Sequence, residues 1–188
     1  MKFNFVAASA AAMILFLLIF LGVLSVIRIV QHVQQPVTLI YEKRFGSYKN
    51  VRTASARIHS QIQILGISNA VEFGLFFDNR RTHNSDEKRF VAGCLVPSEY
   101  TNQLSKVSNL FRIGFIPAIT NFGTDFPYKN DLSFAVGVLK VYPALHAFIK
   151  NKYIQTLAVM EQYDIKSGII QYRAIPLEYN SFFSNFFY

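Results

Sequence analysis

The chain has 188 residues and a formal net charge of +8, because 19 lysines and arginines outnumber 11 aspartates and glutamates. Only 16% of the residues are charged and 52% are hydrophobic, whereas roughly a quarter of the residues of a typical soluble domain are charged. The low charge excludes a disordered chain and indicates that part of the chain lies outside water. The single cysteine excludes a scaffold held by internal disulfides. The length suits one domain with an additional segment.

The additional segment is an uncharged apolar stretch from Phe5 to Ile27. As a helix it would be roughly 35 Å long, enough to cross a hydrocarbon core of about 30 Å. A cleaved signal peptide is the alternative, but there small residues follow the apolar run, whereas here the small residues 7–12 come before the bulky run Ile14 to Leu21. The pattern predicts a retained single transmembrane helix within an anchor and juncture of residues 1–35.

The flanking charges predict the orientation of this span. Only Lys2 precedes it, whereas Arg28, Lys43 and Arg44 follow it. Because the side richer in lysine and arginine stays in the cytosol, the short N-terminus is expected to be lumenal and the remaining chain cytosolic. The lone Cys94 is typical of a reducing compartment and agrees with that topology.

The first half of the domain begins after a polar juncture, residues 31–35, that Pro36 closes. Apolar residues at three- and four-residue spacings predict an amphipathic helix from Asn50 to Leu65. Strands are predicted at residues 37–41, 71–77 and 90–96, with a polar loop at 78–89.

The second half loosely repeats that order. A strand at 110–117 and an irregular stretch lead to a helix at 131–153, which Pro143 is expected to kink. Strands at 157–163 and 169–175 follow, joined by a hairpin loop at 164–168. The pattern predicts an α+β domain over residues 36–178, built from two strand–helix–strand–strand halves, with an aromatic tail at 179–188.

Four segments together carry a family resemblance: residues 73–96, FIPAITNFGTDFPY, VYPALHAFIKNKY and MEQYD. Their order and spacing resemble the testis-expressed protein 264 family over residues 37–178. The resemblance implies a gyrase-inhibitor-like, effector-binding domain anchored in the endoplasmic-reticulum membrane. It also implies a receptor role in selective autophagy of that organelle, with autophagosomal ubiquitin-like modifiers and an AAA unfoldase as partners, and a link to the repair of protein–DNA crosslinks.

One feature departs from that family. Its receptor role depends on a long acidic tail with an aromatic-x-x-aliphatic motif, whereas this sequence ends ten residues after Glu178 without an acidic residue. The bare spacing recurs at residues 48–51, 142–145 and 172–175. None of the three segments follows an acidic residue. The first enters a predicted helix, the second lies in a predicted helix and the third lies in a predicted strand. None is therefore expected to offer the extended peptide that such modifiers bind.

The candidate ligand-binding residues are Glu161 and Tyr163 on a late predicted strand. The resemblance implies that a glutamate there lies at the bottom of a ligand cleft, and strand alternation places both side chains on one face. A carboxylate between aromatic walls would neutralise a flat cation, or act as a base if burial raised its pKa. The alternative is a structural ion pair between Glu161 and Arg173 across the hairpin.

The candidate surface for lipid headgroups or a partner is the basic loop. It contains Arg80, Arg81, Lys88 and Arg89. Acidic residues interrupt this loop and no nucleic-acid motif accompanies it, so direct nucleic-acid binding is not expected. An ordinary solvated loop is the alternative.

No metal site, cofactor motif or nucleophile motif is present in the sequence. His59 and His146 fall in predicted helices, and Cys94 falls in a predicted core strand. The aromatic tail is expected to fold back on the domain, to enter the membrane interface or to bind a partner. The resulting hypothesis is a membrane-anchored adaptor without a positive case for an enzyme. A small-molecule sensor or hydrolase and a decayed paralogue that keeps only the anchored fold are the alternatives.

Overall fold

The computed structural model of the protein describes residues 25–78 and 88–186, together with Ser9, Ala12, Met13 and Ile19. These four residues are helical and exposed. Most of the predicted N-terminal span, the loop residues Arg80 and Arg81, and the last two residues lie outside the described residues.

The described residues form eight strands and three α-helices. The strands are β1 Val30–Gln34, β2 Val37–Phe45, β3 Val71–Phe76, β4 Arg89–Val96, β5 Arg112–Ile116, β6 Ile119–Pro127, β7 Thr156–Asp164 and β8 Ile169–Pro176. The helices are α1 Val51–Ile64, α2 Leu132–Asn151 and α3 Asn180–Phe183, with 3-10 turns at Tyr48–Asn50, Ser98–Lys106, Leu177–Tyr179 and Ser184–Phe186.

All eight strands belong to one antiparallel sheet in the order β1-β6-β8-β7-β3-β4-β2-β5. Strands β2, β3 and β4 surround α1 in sequence, and β6, β7 and β8 surround α2. The two three-stranded groups meet where β3 pairs with β7. The predicted α+β class is therefore confirmed. Two strand–helix–strand–strand halves are present, but the second begins with β6 and not with the predicted strand at 110–117.

The remaining strands exchange partners between the halves. Strand β1 pairs with β6 of the second half, and β5 pairs with β2 of the first half. The sequence predicts a polar juncture at 31–35 and an irregular stretch after residue 117. Both predictions are wrong, because residues 30–34 form β1 and residues 119–127 form β6.

One register runs through both exchanged ladders. Gln34 lies opposite Ile119, and Val37 lies opposite Ile116. Between these pairs the same register places Pro36 opposite Pro117. Neither proline has an N–H group, so neither can donate a ladder hydrogen bond and the ladder is interrupted at this point.

The two faces of the sheet are covered differently. On one face, α1 and α2 pack over a core that includes Phe76, Phe126 and Tyr172. On the other face, Phe183 and Phe186 of the C-terminal segment belong to a second core cluster with Leu39, Tyr41 and Leu75. The other members of this cluster are Phe73, Val91, Ile116, Ile119, Ala158, Met160 and Ile175. The described part of the aromatic tail therefore folds back on the domain.

Helix α2 is the one helix among the described residues that is long and apolar enough to cross a bilayer, judged by length and composition. It runs through Pro143 without interruption. Its buried residues are Ser133, Gly137, Val141 and Leu145, which recur every fourth position and lie along a single narrow stripe toward the sheet.

Candidate functional site

A buried carboxylate lies under α2 at the centre of the sheet. Glu161 of β7 is 3% exposed and lies opposite Gly74 on β3 and Tyr172 on β8. Two hydroxyls donate hydrogen bonds to it: Tyr142 to Oε1 at 2.6 Å and Tyr163 to Oε2 at 2.9 Å. These hydrogen bonds offset part of the desolvation of the carboxylate and fix its orientation.

Aromatic rings surround this carboxylate on the helix-covered face. The rings of Tyr142 and Tyr172 meet edge to face at 6.0 Å, and those of Phe134 and Tyr163 at 5.4 Å. Their edge-to-face geometry is a favourable arrangement of aromatic quadrupoles. The sequence prediction that Glu161 and Tyr163 share one face of a strand beside aromatic walls agrees with this geometry.

The alternative structural ion pair between Glu161 and Arg173 is wrong. Arg173 lies opposite Met160 and therefore points to the other face of the sheet. There its guanidinium hydrogen-bonds the carboxylate of Asp125 and, at 2.8 Å, the carbonyl oxygen of Thr124. The hairpin loop between the paired Asp164 and Ile169 has four residues, 165–168. The sequence predicted a loop of five residues, 164–168. A register slip of one residue moves every side chain of the strand to the other face.

A second carboxylate occupies the neighbouring strand on the same face. Glu72 of β3 accepts a hydrogen bond from the Ser55 hydroxyl of α1 at 2.9 Å and lies 3.1 Å from His59 Nδ1. The amide nitrogen of Gln63 lies 3.2 Å from His59 Nε2. With that amide as donor, Nε2 accepts and Nδ1 carries the proton that is donated to Glu72.

Sequence reasoning missed this second group. Its signal is the four-residue spacing of Ser55 and His59, which places a hydroxyl and an imidazole on the same side of α1. Glu72 comes directly opposite Tyr163 only through the pairing of β3 with β7. These strands are far apart in the sequence, so no local pattern identified them as partners. The two carboxylates, Glu72 and Glu161, therefore lie diagonally across adjacent strands with Tyr163 between them.

A cleft of about 440 Å³ opens beside this pair of strands. Tyr163 and Glu72 line it together with His59, Asp164 and Lys166. Tyr163 also hydrogen-bonds Glu161, so one side chain belongs both to the cleft wall and to the buried carboxylate site. A larger depression of about 570 Å³ lies elsewhere, between the end of α2 and the end of β8, and contains Phe122, Ile154 and Glu178.

One bridge joins the two helices above the site. The guanidinium of Arg52 on α1 lies 3.7 Å from the ring centre of Phe134 on α2. It also lies 3.2 Å from Asp131 at the start of α2. Both contacts are near the surface, where a stacked guanidinium contributes modestly.

The described part of the basic loop is not a free cationic surface. Arg89 is the first residue of β4, and its guanidinium lies 2.7 Å from the carboxylate of Asp78. Lys88 lies over the ring of Tyr48, 5.5 Å from its centre. Arg80 and Arg81 lie outside the described residues, so the predicted lipid- or partner-binding role of the loop stays a prediction.

The remaining candidates have structural positions. Cys94 is fully buried, and burial first and Glu72 second raise the pKa of its thiol. Residues 48–51 enter α1, 142–145 lie in α2 and 172–175 lie in β8, as the sequence predicts. Within the described ranges no three side chains of histidine, cysteine, aspartate or glutamate converge to hold a metal ion.

Known structures share this fold. The C-terminal domain of EcmrR is 11% identical, with a TM-score of 0.57 over 80% of this chain and 97% of that domain. SAV2435 bound to tetraphenylphosphonium is 10% identical, with a TM-score of 0.51 over 82% of this chain and 96% of that protein. A hydrolase from Listeria innocua is 7% identical, with a TM-score of 0.51 over 79% of this chain and 91% of that enzyme.

These identities establish the fold and no more. The α+β sheet resembles that of gyrase-inhibitor-like domains, the fold that the sequence predicts. No family model and no curated protein matches this sequence. Membership of the testis-expressed protein 264 family therefore stays a prediction.

Proposed function

We propose that the domain is a binding module for a flat or lipophilic organic cation, which contacts Glu161. The observation that carries the proposal is a buried carboxylate, 3% exposed, that two tyrosine hydroxyls orient within an aromatic cluster. A negative charge in a poorly solvated site attracts a cation more strongly than it would in water. Aromatic faces add cation–π attraction.

Two further observations support this proposal. The similar fold of SAV2435 is known with tetraphenylphosphonium, which is a lipophilic organic cation of the proposed class. The cleft beside Tyr163 contains the carboxylates of Glu72 and Asp164 against the one ammonium group of Lys166, and this excess of negative charge would favour the approach of a cation. Rotation of the Tyr163 side chain would join this cleft to the Glu161 carboxylate.

The test is calorimetric titration of the full chain with tetraphenylphosphonium. We expect Glu161→Gln to lower the affinity at least tenfold, which is about 1.4 kcal/mol. Glu99→Gln is the matched control, because Glu99 is exposed, lines neither cleft, and the substitution removes the same charge from the surface. Equal affinities of Glu161→Gln and the unmodified chain would contradict the proposal.

The hydrolase alternative receives less support. Both oxygens of Glu161 already accept hydroxyl hydrogen bonds, whereas a general base must reach a proton of the substrate or of a water molecule. The similarity to a Listeria innocua hydrolase extends to the fold alone. We therefore propose a binding module and no reaction.

We further propose that residues 5–27 attach this module to a membrane, with the domain on the cytosolic side. The uncharged length of the stretch and the excess of Arg28, Lys43 and Arg44 after it support this topology. The reticulum is the membrane that the family resemblance favours. Protease treatment of sealed microsomes should degrade the domain; protection of the domain would contradict the topology.

The autophagy adaptor role stays a prediction. One observation argues against the usual way in which such adaptors bind a ubiquitin-like modifier, through an exposed aromatic-x-x-aliphatic peptide. The three segments with the aromatic-x-x-aliphatic spacing lie at the start of α1, within α2 and within β8, whereas strand addition needs an exposed extended peptide. Calorimetric titration with an autophagosomal ubiquitin-like modifier tests the role. Micromolar binding would support a receptor that uses another motif, and no binding near millimolar concentration, about −4 kcal/mol, would exclude direct receptor action.

A further inference from the structure

The outward face of α2 has the composition of a surface that water does not cover. Leu139 is 75% exposed and Leu132 is 59% exposed. Exposed residues recur along this face at three- and four-residue spacings, and all but one of them are apolar: Leu132, Ala135, Leu139, Pro143, His146 and Ala147. No acidic residue occurs between Leu132 and Asn151. A helix on the surface of a soluble domain normally places polar residues on this side.

The inward face of the same helix explains why the bulky residues point outward. Gly137 lies against Tyr172, so close that an added Cβ would come within 2.3 Å of the tyrosine hydroxyl oxygen. The stripe toward the sheet also contains Ser133. Small residues bring α2 close to the sheet, and the larger apolar side chains are left on the opposite side.

The apolar N-terminal stretch reaches the domain at this helix. Lys140 donates a hydrogen bond through Nζ to the carbonyl oxygen of Ser25 at 2.5 Å. Ile27 packs against the core cluster to which Val136 and Tyr142 also contribute. The uncharged residues 5–24 therefore connect to the domain beside the middle of α2.

The C-terminal end of α2 carries side chains that suit a lipid headgroup layer. Lys150 and Lys152 lie at its C-terminal end, and Tyr153 directly after them is 93% exposed. Lysine and tyrosine are the residues that accumulate at membrane–water interfaces, because each combines an apolar body with a polar tip. A helix that exposes one apolar face can lie in the plane of that interface with this face toward the acyl chains; here the opposite face of α2 packs on the sheet.

We infer that α2 is an interfacial helix whose outward face lies on the bilayer that holds residues 5–27. Leu132 and Leu139 enter the boundary between headgroups and acyl chains, and the flanking lysines meet lipid phosphates. The inference rests on the proposed membrane attachment. It adds a second, lateral contact that orients the Glu161 site relative to the membrane.

The experiment uses the absence of tryptophan from the sequence. Leu139→Trp gives the full chain a single tryptophan on the outward face of α2. The variant is reconstituted into phosphatidylcholine vesicles with and without brominated acyl chains, since bromine quenches tryptophan only at close range. We expect a blue-shifted emission and quenching by about half or more, as for a side chain buried at an interface.

Two matched variants separate the possible results. Phe45→Trp, at a 71% exposed position of β2, is expected to emit as in water without quenching. Phe16→Trp reports on the apolar stretch itself and is expected to be quenched. Quenching of Phe16→Trp without quenching of Leu139→Trp would overturn the interfacial helix and leave the membrane attachment intact.

The other outcomes also decide the question. If neither tryptophan is quenched, the proposed attachment fails and the interfacial helix fails with it. A blue-shifted but unquenched Leu139→Trp would mean that protein covers this face, as in contact with a second copy, and would overturn the lipid assignment. A far-ultraviolet circular dichroism spectrum and a urea midpoint equal to those of the unmodified chain verify that Leu139→Trp is folded, independently of the lipid result and of ligand binding.

Discussion

The two helices on the same face of the sheet are held by similar contacts and differ in their outward faces. Helix α1 hydrogen-bonds Glu72 of β3 through Ser55, and α2 hydrogen-bonds Glu161 of β7 through Tyr142. Strands β3 and β7 are direct neighbours. Each half of the domain therefore places a carboxylate beneath its own helix, close to the line where the halves meet.

The outward faces differ in character. The exposed positions of α1 are mainly polar and include Arg57 and Gln61, with Ile64 at the end of the helix as an apolar exception. The exposed positions of α2 include Leu132 and Leu139, together with one histidine. The periodicity of α1 is that of an ordinary surface helix. The two corresponding helix positions of this fold therefore hold one helix with a mainly polar outward face and one with a mainly apolar outward face.

The largest effect should come from the sheet side of α1. Ile58 is fully buried, so Ile58→Ala removes apolar contacts and leaves a cavity at a cost of about 3 kcal/mol. Leu139→Ala on the outward face of α2 should change the stability by no more than about 0.5 kcal/mol. Urea unfolding of both full-length variants in detergent measures this difference, and equal losses would contradict the assignment of the faces.

The sheet side of α2 should be the next most sensitive. Gly137→Val places side-chain atoms against Tyr172 and Phe126 and is expected to destabilise the fold by about 2 kcal/mol through overpacking. Ala135→Val, at an exposed position of the same helix, is the matched control. Urea unfolding should show a lower midpoint for Gly137→Val alone; an unchanged midpoint would mean that α2 can move away from the sheet.

The hydrogen bonds between helix and carboxylate should have smaller effects. Tyr142→Phe removes one donor from Glu161, and a loss of about 1 kcal/mol is expected. Tyr153→Phe should be neutral, because that side chain is 93% exposed. Tetraphenylphosphonium titration of the same pair reports on the site: weaker binding by Tyr142→Phe alone would link α2 to the ligand, and equal binding would separate them.

The smallest effect concerns β1, the strand that the first half contributes beside β6. Burial, and to a lesser extent the charge of Arg173, lowers the pKa of His32 below its ordinary value. The unfolded chain therefore binds this proton more tightly, so the contribution of His32 is present above the unfolded pKa of about 6.5 and is lost as pH falls through the folded pKa.

The measurement is the urea midpoint between about pH 7.5 and pH 5.5. The midpoint should fall on acidification, and His32→Gln should make this fall smaller. An equally steep fall in His32→Gln would assign the pH dependence to other groups.

Much of this fold follows from local sequence patterns. The spacing of apolar residues predicts α1, and the alternation along β7 correctly places Glu161 and Tyr163 together. The contacts between distant segments did not follow from the sequence. Strand β1 is short and polar, its partner β6 lies in the other half of the chain, and no local pattern specifies that pairing.

The candidate site was half predictable for the same reason. Glu161 was identified from its strand and from the family resemblance, whereas Glu72 acquires its role from the packing of α1 on β3. The incorrect pairing with Arg173 arose from one residue in the length of the β7–β8 loop. Loop conformation decides such a register, and Gly168, with a φ of 68°, adopts a left-handed conformation that the sequence pattern did not specify.

The exchanged strands β1 and β5 also determine how the molecule can be divided. Each half completes its sheet with a strand from the other, so a fragment that ends before Arg112 would lack β5 and leave β1 without its partner. A protease cut in the 3-10 segment Ser98–Lys106 would break the covalent connection but leave both ladders paired. Two such pieces, separately unfolded and then mixed, should reassemble into a single complex. The reciprocal strand pairing joins the two halves even when the peptide chain between them is broken.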